Sequence, residues 1–362
     1  MESVTDIIFR QVVAKAARPD VFFTEFTNVS SFASEKGRHN ALERLVIVPT
    51  DAPIIAQLWG TNPDHFAYTA KHLPEGFSGI DINMGCPDKH VVKNGGGSAL
   101  IKAPHETSAG LISAVKDNTD LPVSVKTRLG YSRVDEWQGW LTHLLEQDLA
   151  ALTIHLRTKK EMSKVPAHHE LIPEVLKLAQ SVAPNTTIIL NGDFTSRTHF
   201  NQLFKCPSQK TTGCMIGRGV FTNPFCFEKS PREHTKKELM ELLLYHLDLF
   251  DSSNLPSSFS EDFVKSPVRT TTYIPDGTEG FARSEVPSDA QRMRSSAESG
   301  SEEKSVRKFA AEEPEFSPRK FEPLKRFFKI YINNFEGAAD IRARLMETKT
   351  TSEVRHIIST IQ

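Results

Sequence analysis

The chain has 362 residues, of which 38% are hydrophobic and 25% charged, with a formal net charge of −1. That length fits one large barrel-type domain or two smaller units, and the composition is that of an ordinary soluble protein. A nearly neutral chain has no global field for nucleic acid, so any such binding must come from local basic patches.

The four cysteines, Cys86, Cys206, Cys214 and Cys226, form no Cys-x-x-Cys pair, which leaves zinc and dithiol redox sites without support. No apolar run approaches the roughly 18 residues of a membrane helix. The N-terminus lacks the basic-then-apolar pattern of a signal peptide, so a reducing cytoplasm is expected.

In chain order, "MESVTDIIFRQ" opens with Thr5 or Asp6 placed to cap a helix over Ile7, Ile8 and Phe9. Seven short apolar runs follow, at 21–26, 53–59, 79–84, 122–128, 150–156, 187–192 and 213–219, separated by helix-like stretches. Continuous apolar character suggests strands of a parallel sheet, and the strand–helix alternation predicts an α/β fold. A doubly wound sheet would normally carry Gly-x-Gly-x-x-Gly after its first strand, and none stands there.

A (β/α)8 barrel instead places its working residues just beyond several strand ends. Gln57, Asn83, Cys86, Lys126, Arg128, His155, Arg157, Asn191 to Asp193 and Gly217-Arg218 all follow apolar runs. The expectation is therefore a (β/α)8 TIM barrel over 1–234, with its first strand missing and the chain an N-terminally shortened version.

Beyond the barrel, "HTKKELMELLLYHLDLFD" predicts a helix with Thr235 and Glu238 at capping-box spacing. From about 252 to 318 the composition turns to Ser, Pro, Glu and Arg, which predicts a mostly disordered insertion. Helical pattern resumes in "FEPLKRFFKIYINNF", "GAADIRARLMETK" and "SEVRHIISTI". A small α-helical domain at 235–362, interrupted by that insertion, is expected.

Several of these residues carry chemistry. Loops after the last two barrel strands commonly build a phosphate site. "NGDFTSR" and "IGRGVFTNP" supply accessible glycine backbone and the Arg218 fork, against a bland reading as ordinary turns. Lys126 at a strand end needs an anionic or electron-rich partner, such as a flavin that becomes anionic on reduction. His155 could donate to the same group or be structural. Cys86, between glycine and proline, could be nucleophile, proton donor or packing residue; an ordinary thiol, with a pKa of about 8.5, is mostly protonated at neutral pH.

Taken together, "NMGCPDKHVVKNGGGSALI", "VSVKTRLG", "LTIHLRTKKEMSKVPAHHELI", "NGDFTSR" and "MIGRGVFTNPF" resemble the tRNA-dihydrouridine synthase family. The likeness runs from Met1 to about Phe227 and resumes in "LKRFFKIYINNFEGAADIRARLM". It implies an FMN-bound barrel that reduces the C5–C6 bond of specific uridines in tRNA, with NADPH or NADH as electron donor. Cys86 would protonate C5. Gln57, Lys126 and His155 would contact the isoalloxazine or ribityl part, and Met1 matches a flavin-contacting methionine. Asn191, Gly192 and Asp193, with Gly217 and Arg218, would hold the phosphate. Asn83, Arg128 and Arg157 would lie around the uridine.

In the helical part, Lys325, Arg326 and Lys329 would grip tRNA phosphates, with Phe327, Phe328 and Tyr331 as core. A monomer is expected, with tRNA as partner and neither metal nor membrane. The alternatives are a flavin barrel acting on a free pyrimidine, and a tRNA-binding protein without cofactor. The chain departs from the family in its missing strand, its polar insertion and the "AHHEL" stretch, where an aromatic is usual near His169.

Overall fold

The computed structural model describes residues 4–48, 53–203, 212–252, 320–333 and 335–361. Met1, Cys206, Arg319 and the polar insertion beyond Ser252 lie outside them.

Chain order begins with α1 (Ile7–Ala17), capped by Asp6, whose Oδ1 accepts from Phe9 N at 2.8 Å. Eight strands then form one sheet: β1 (Phe22–Phe23), β2 (Thr27–Asn28), β3 (Ile54–Trp59), β4 (Gly79–Asn83), β5 (Val123–Arg128), β6 (Ala151–His155), β7 (Thr187–Asn191) and β8 (Thr212–Met215). Every pairing is parallel; the order is β1-β3-β4-β5-β6-β7-β8, with β2 beside β3. Helices lie between successive strands: α2 (Val29–Ala33), α3 (Glu35–Glu43), α4 (Pro63–Lys71), α5 (Lys89–Lys93), α6 (His105–Lys116), α7 (Trp137–Leu145), α8 (Ile172–Val182) and α9 (Arg197–Leu203). This is a TIM-barrel-like α/β fold. Among the described residues no pairing joins β8 to β1 or β2.

All seven predicted runs are strands, with two differences. The run at 21–26 contains only the two-residue strand β1, and β2 follows just beyond it. Between them the Oγ1 of Thr24 accepts from Gln57 N at 3.0 Å, so a side chain takes a ladder position. The run at 213–219 ends early at Met215, because Arg218–Phe221 forms a 3₁₀ turn.

Register sorts the side chains by face. Ile80, Ile82, Val125, Leu152, Ile154 and Leu190 are all buried in one cluster with the surrounding helices. The alternate positions pair Gln57 with Asp81 and Asp81 with Ser124, then Asn83 with Lys126 and Lys126 with Thr153. A third level pairs Arg128 with His155 and His155 with Asn191. Because side chains alternate along a strand, the apolar set faces the helices and the polar set faces inward. The bond from Lys126 Nζ on β5 to Asn191 Oδ1 on β7, at 3.4 Å, spans the interior across the intervening strand.

A second cluster joins α1, the base of β3 and the C-terminal helices. Helix α10 (Lys236–Ser252) carries Leu239, Met240, Leu243 and Leu247 into it. Its capping box forms: Glu238 N donates to Thr235 Oγ1 at 3.3 Å, and Glu238 Oε2 accepts from Thr235 N at 2.8 Å. The turn Glu322–Phe327 and the helices Phe328–Tyr331, Ala338–Glu347 and Thr351–Ser359 complete the C-terminal region. Phe327, Phe328 and Tyr331 are buried in the cluster, and Phe9 meets Phe327 at a ring-centroid distance of 4.7 Å.

Candidate active site

The loop after β4 holds Cys86 by backbone contacts from both sides. Asn83 Oδ1 accepts from Gly85 N at 3.1 Å and from Cys86 N at 2.9 Å. Ser98 N donates to the Cys86 carbonyl at 3.0 Å. The triple glycine makes that approach possible: Gly97 has φ +56°, and a Cβ there would lie 2.7 Å from the Cys86 carbonyl oxygen. Asp88 then caps the short helix Lys89–Lys93, accepting from His90 N at 2.8 Å. Burial pushes the half-buried Cys86 thiol above its ordinary value, against the pull of Lys126 and Arg128, so it keeps its proton at neutral pH.

The inner wall beside this loop is crowded with cations. Burial, reinforced by neighbouring Arg128, lowers Lys126 to about 8. Burial and nearby Arg157 bring Arg128 down to about 10. Arg128 is buried; its Nε donates to the Gly85 carbonyl at 2.8 Å and its Nη1 to Thr158 O at 3.0 Å. Burial, with Lys126, Arg128, Arg157 and Arg218, drives His155 to about 2, so the imidazole is neutral. Arg157 Nη1 lies 3.1 Å from His155 Nε2; a guanidinium only donates, which places the imidazole proton on Nδ1.

Arg157, 2% exposed, also donates from Nε to Val165 O at 2.7 Å and pairs through Nη2 with Asp193 Oδ2. The same Asp193 oxygen accepts from Ala167 N at 2.9 Å, and Oδ1 lies 3.4 Å from Arg218 Nη2. That carboxylate is therefore committed to protein partners. Neighbouring Gly192 sits at φ +127°, where a Cβ would meet Ala167 Cβ at 2.9 Å and His155 Cδ2 at 3.2 Å. Asn191 donates from Nδ2 to Met215 O at 2.8 Å, tying β7 to β8. Beyond β8, no side chain caps the turn that starts after Gly217, so its first N–H groups have no intrahelical acceptor; Arg218 is largely exposed.

Gln57, Asn83, Lys126, Arg128, His155, Arg157, Asn191, Gly192, Asp193, Gly217 and Arg218 thus share one end of the sheet with Cys86. Met1 lies outside the described residues. Lys325 is set differently from the sequence expectation of an exposed grip. It is 9% exposed, donates from Nζ to Met346 O at 2.9 Å and pairs with Glu322 at 2.8 Å. Arg326 is exposed, and Lys329 Nζ sits 5.1 Å from the ring centroid of Phe221.

Sequence reasoning passed over Asp81 and Ser124, on the inner face beneath the mouth, and Thr24, which accepts from Gln57 N from the segment between β1 and β2. Their signal was the polar residue inside each apolar run. It also left His169 as an oddity: the ring stacks on Phe194 at 4.9 Å between centroids, and Nε2 lies 2.8 Å from Gly192 O. An imidazole serves there as the flat ring. Among the described residues no group of three or more His, Cys, Asp or Glu could hold a metal ion, and no helix is long and apolar enough to cross a membrane.

Known proteins resemble this chain over nearly its whole length. The family model described as dihydrouridine synthase (Dus) matches residues 1–252. A probable tRNA-dihydrouridine synthase 2 of Bacillus subtilis (strain 168) is 44% identical over 359 residues, covering 99% of this chain and 91% of that protein. A probable tRNA-dihydrouridine synthase of Staphylococcus aureus (strain COL) is 42% identical over 359 residues, covering 99% and 90%. Of solved structures, a Ruminococcus gnavus sialic acid aldolase catalytic lysine mutant matches with a TM-score of 0.31 at 10% identity, covering 52% of this chain and 56% of that one. A family match over more than half the chain and relatives aligned almost end to end lead to one conclusion: the chain belongs to the dihydrouridine synthase family.

Proposed function

We propose that the chain reduces specific uridines of tRNA to 5,6-dihydrouridine, with FMN as cofactor, NADPH as electron donor and Cys86 as proton donor. The observation that carries this reading is a thiol held protonated beside a cluster of cations at the mouth of a parallel barrel.

The residues fit FMN on two counts. Lys126 meets Asn191 but pairs with no carboxylate among the described residues, and its lowered pKa reflects burial beside Arg128, a setting that an anionic or electron-rich ring relieves. Gly192 leaves backbone open where a Cβ would collide, and Gly217 with Arg218 adds N–H groups and a guanidinium for a phosphate. Gln57, Lys126 and His155 would hold the ring and ribityl chain. Asn191, Gly192, Gly217 and Arg218 would hold the phosphate, with Asp193 orienting Arg157 and Arg218. When bound, FMN supplies the hydride for C6 of the uracil.

The chain's own part is to receive the base and supply one proton. A uracil in a duplex or stack cannot reach such a mouth, so the target nucleotide must leave its stack. Cys86 gives its S–H proton to C5 as C6 gains hydride; the C5–C6 double bond becomes single, and the thiolate regains a proton from water. Burial that keeps the thiol neutral suits an acid and opposes a nucleophilic role. Arg128 fixes the loop through the Gly85 carbonyl, and Asn83 orients its N–H groups. Exposed Arg326 and Lys329 would meet phosphates, while buried Lys325 braces their turn.

The test is dihydrouridine formation by mass spectrometry on unmodified tRNA, using purified protein with FMN and NADPH. Wild type should convert tRNA and leave free uridine untouched. Cys86→Ala should retain its flavin and lose about 10²- to 10⁴-fold in rate, the usual share of a general acid. Full activity in that variant sinks the acid assignment; a protein that takes up no flavin sinks the cofactor.

A further inference from the structure

Below the mouth a buried chain of side-chain hydrogen bonds runs from Asp81 through Gln57 and Asn83 to the Cys86 loop. Asp81 is fully buried on β4. Its Oδ1 accepts from Ser124 Oγ at 2.7 Å and its Oδ2 from Gln57 Nε2 at 2.7 Å. Gln57 Oε1 in turn accepts from Asn83 Nδ2 at 3.2 Å, and Asn83 Oδ1 takes the N–H groups of Gly85 and Cys86. Gln57 is pinned from its backbone as well, by Thr24 Oγ1. We propose that Asp81 is a positioning residue: it sets the orientation of two buried amides in series and thereby holds the Cys86 loop in its proton-delivering place.

The direction of the chain follows from donors and acceptors alone. A backbone N–H can only donate, so Asn83 must turn its oxygen toward Gly85 and Cys86. Its NH₂ then faces Gln57, which must answer with its oxygen and turn its own NH₂ toward Asp81. At that end only an acceptor satisfies it, and Asp81 Oδ2 is one whether the carboxyl is ionised or protonated on Oδ1. In the protonated state Ser124 can accept from Asp81 and donate instead to Ile80 O, which lies 3.5 Å away. Burial raises Asp81 to about 6 against the opposing effects of Ser124, Gln57 and Lys126, and the chain tolerates either form. Removing the acceptor frees Gln57 to flip, and a flipped Gln57 sets NH₂ against NH₂ at Asn83. Asn83 can answer only by giving up the Cys86 loop.

An account through charge is different, since Asp81 also lies within electrostatic reach of Lys126. Asparagine separates the two. Asp81→Asn keeps an oxygen for Gln57 and gives Ser124 an NH₂, without the charge; Asp81→Leu keeps similar volume without an acceptor. The inference rests on the reading of Cys86 as proton donor only for its consequence, because its test measures no turnover. The measurement is the rate of iodoacetamide alkylation of Cys86, resolved by peptide mass spectrometry in variants whose cooperative melting shows them folded.

Asp81→Asn should alkylate within about twofold of wild type and Asp81→Leu at least about fivefold faster. Gln57→Leu, which cuts the chain one link later, should match Asp81→Leu and serves if that variant does not fold. Equal rates in Asp81→Leu, Gln57→Leu and wild type overturn the proposal. So does an Asp81→Asn rate as fast as Asp81→Leu, which would assign the effect to charge. A failure of tRNA reduction in wild type would instead strike the proposed function and leave this result standing.

Discussion

Asp193 shows how one residue organises the cations of the mouth. Burial opposes its ionisation, but the hydrogen bonds from Arg157 and Ala167 N and the charges of Arg157 and Arg218 outweigh it, holding the carboxyl below its usual range. A depressed carboxylate contributes stability above its unfolded pKa of about 3.9, and that contribution is lost as pH falls through the folded value. Asp193→Asn keeps a residue tolerant of φ +57°, removes the charge and turns the oxygen facing Arg218 into a donor. Removing one partner of a fully buried pair costs about 3–5 kcal/mol. Asp193 is 35% exposed, so a loss of about 1–2 kcal/mol is expected at pH 7. Urea melts of the two proteins should converge as pH drops below about 4; a constant gap would mean the charge is not the cause.

The capping box of α10 was legible from Thr235 and Glu238 because capping is local chemistry at fixed spacing. Thr235→Ala removes the acceptor for Glu238 N and should cost about 1 kcal/mol, read as a lower urea midpoint with unchanged slope. Strand positions were equally legible, since short continuous apolar runs alternating with helix-like stretches mark the strands of a parallel sheet. Strand ends were less so. Whether Thr24 continues a ladder or lends its hydroxyl to Gln57 depends on what lies across from it, about 30 residues later in the sequence, which no local pattern encodes.

For the molecule as a whole, the base of the barrel and the C-terminal helices share one apolar cluster, and His246 on α10 meets Tyr331 Oη at 2.7 Å inside it. All three tryptophans, Trp59, Trp137 and Trp140, lie in the barrel. Their fluorescence therefore reports barrel unfolding only. Tyr331→Phe takes the buried phenol from the His246 ring and should cost about 1–3 kcal/mol. If barrel and helices unfold cooperatively, the tryptophan midpoint should fall together with the far-ultraviolet circular dichroism midpoint. A tryptophan transition that stays in place while the other moves would show the two regions melting separately.

Periodicity, turn residues and caps by themselves determined where the strands run and the order of helices between them. These are properties of neighbours in sequence. Tertiary structure alone decided which residues meet. It buried Lys325 in what reads as a basic patch, committed Asp193 to two arginines, and aligned Asp81, Gln57 and Asn83 under Cys86. Such meetings depend on the register between strands about 24 to 65 residues apart, and a hydrogen bond is directional enough that register, not composition, selects its partner.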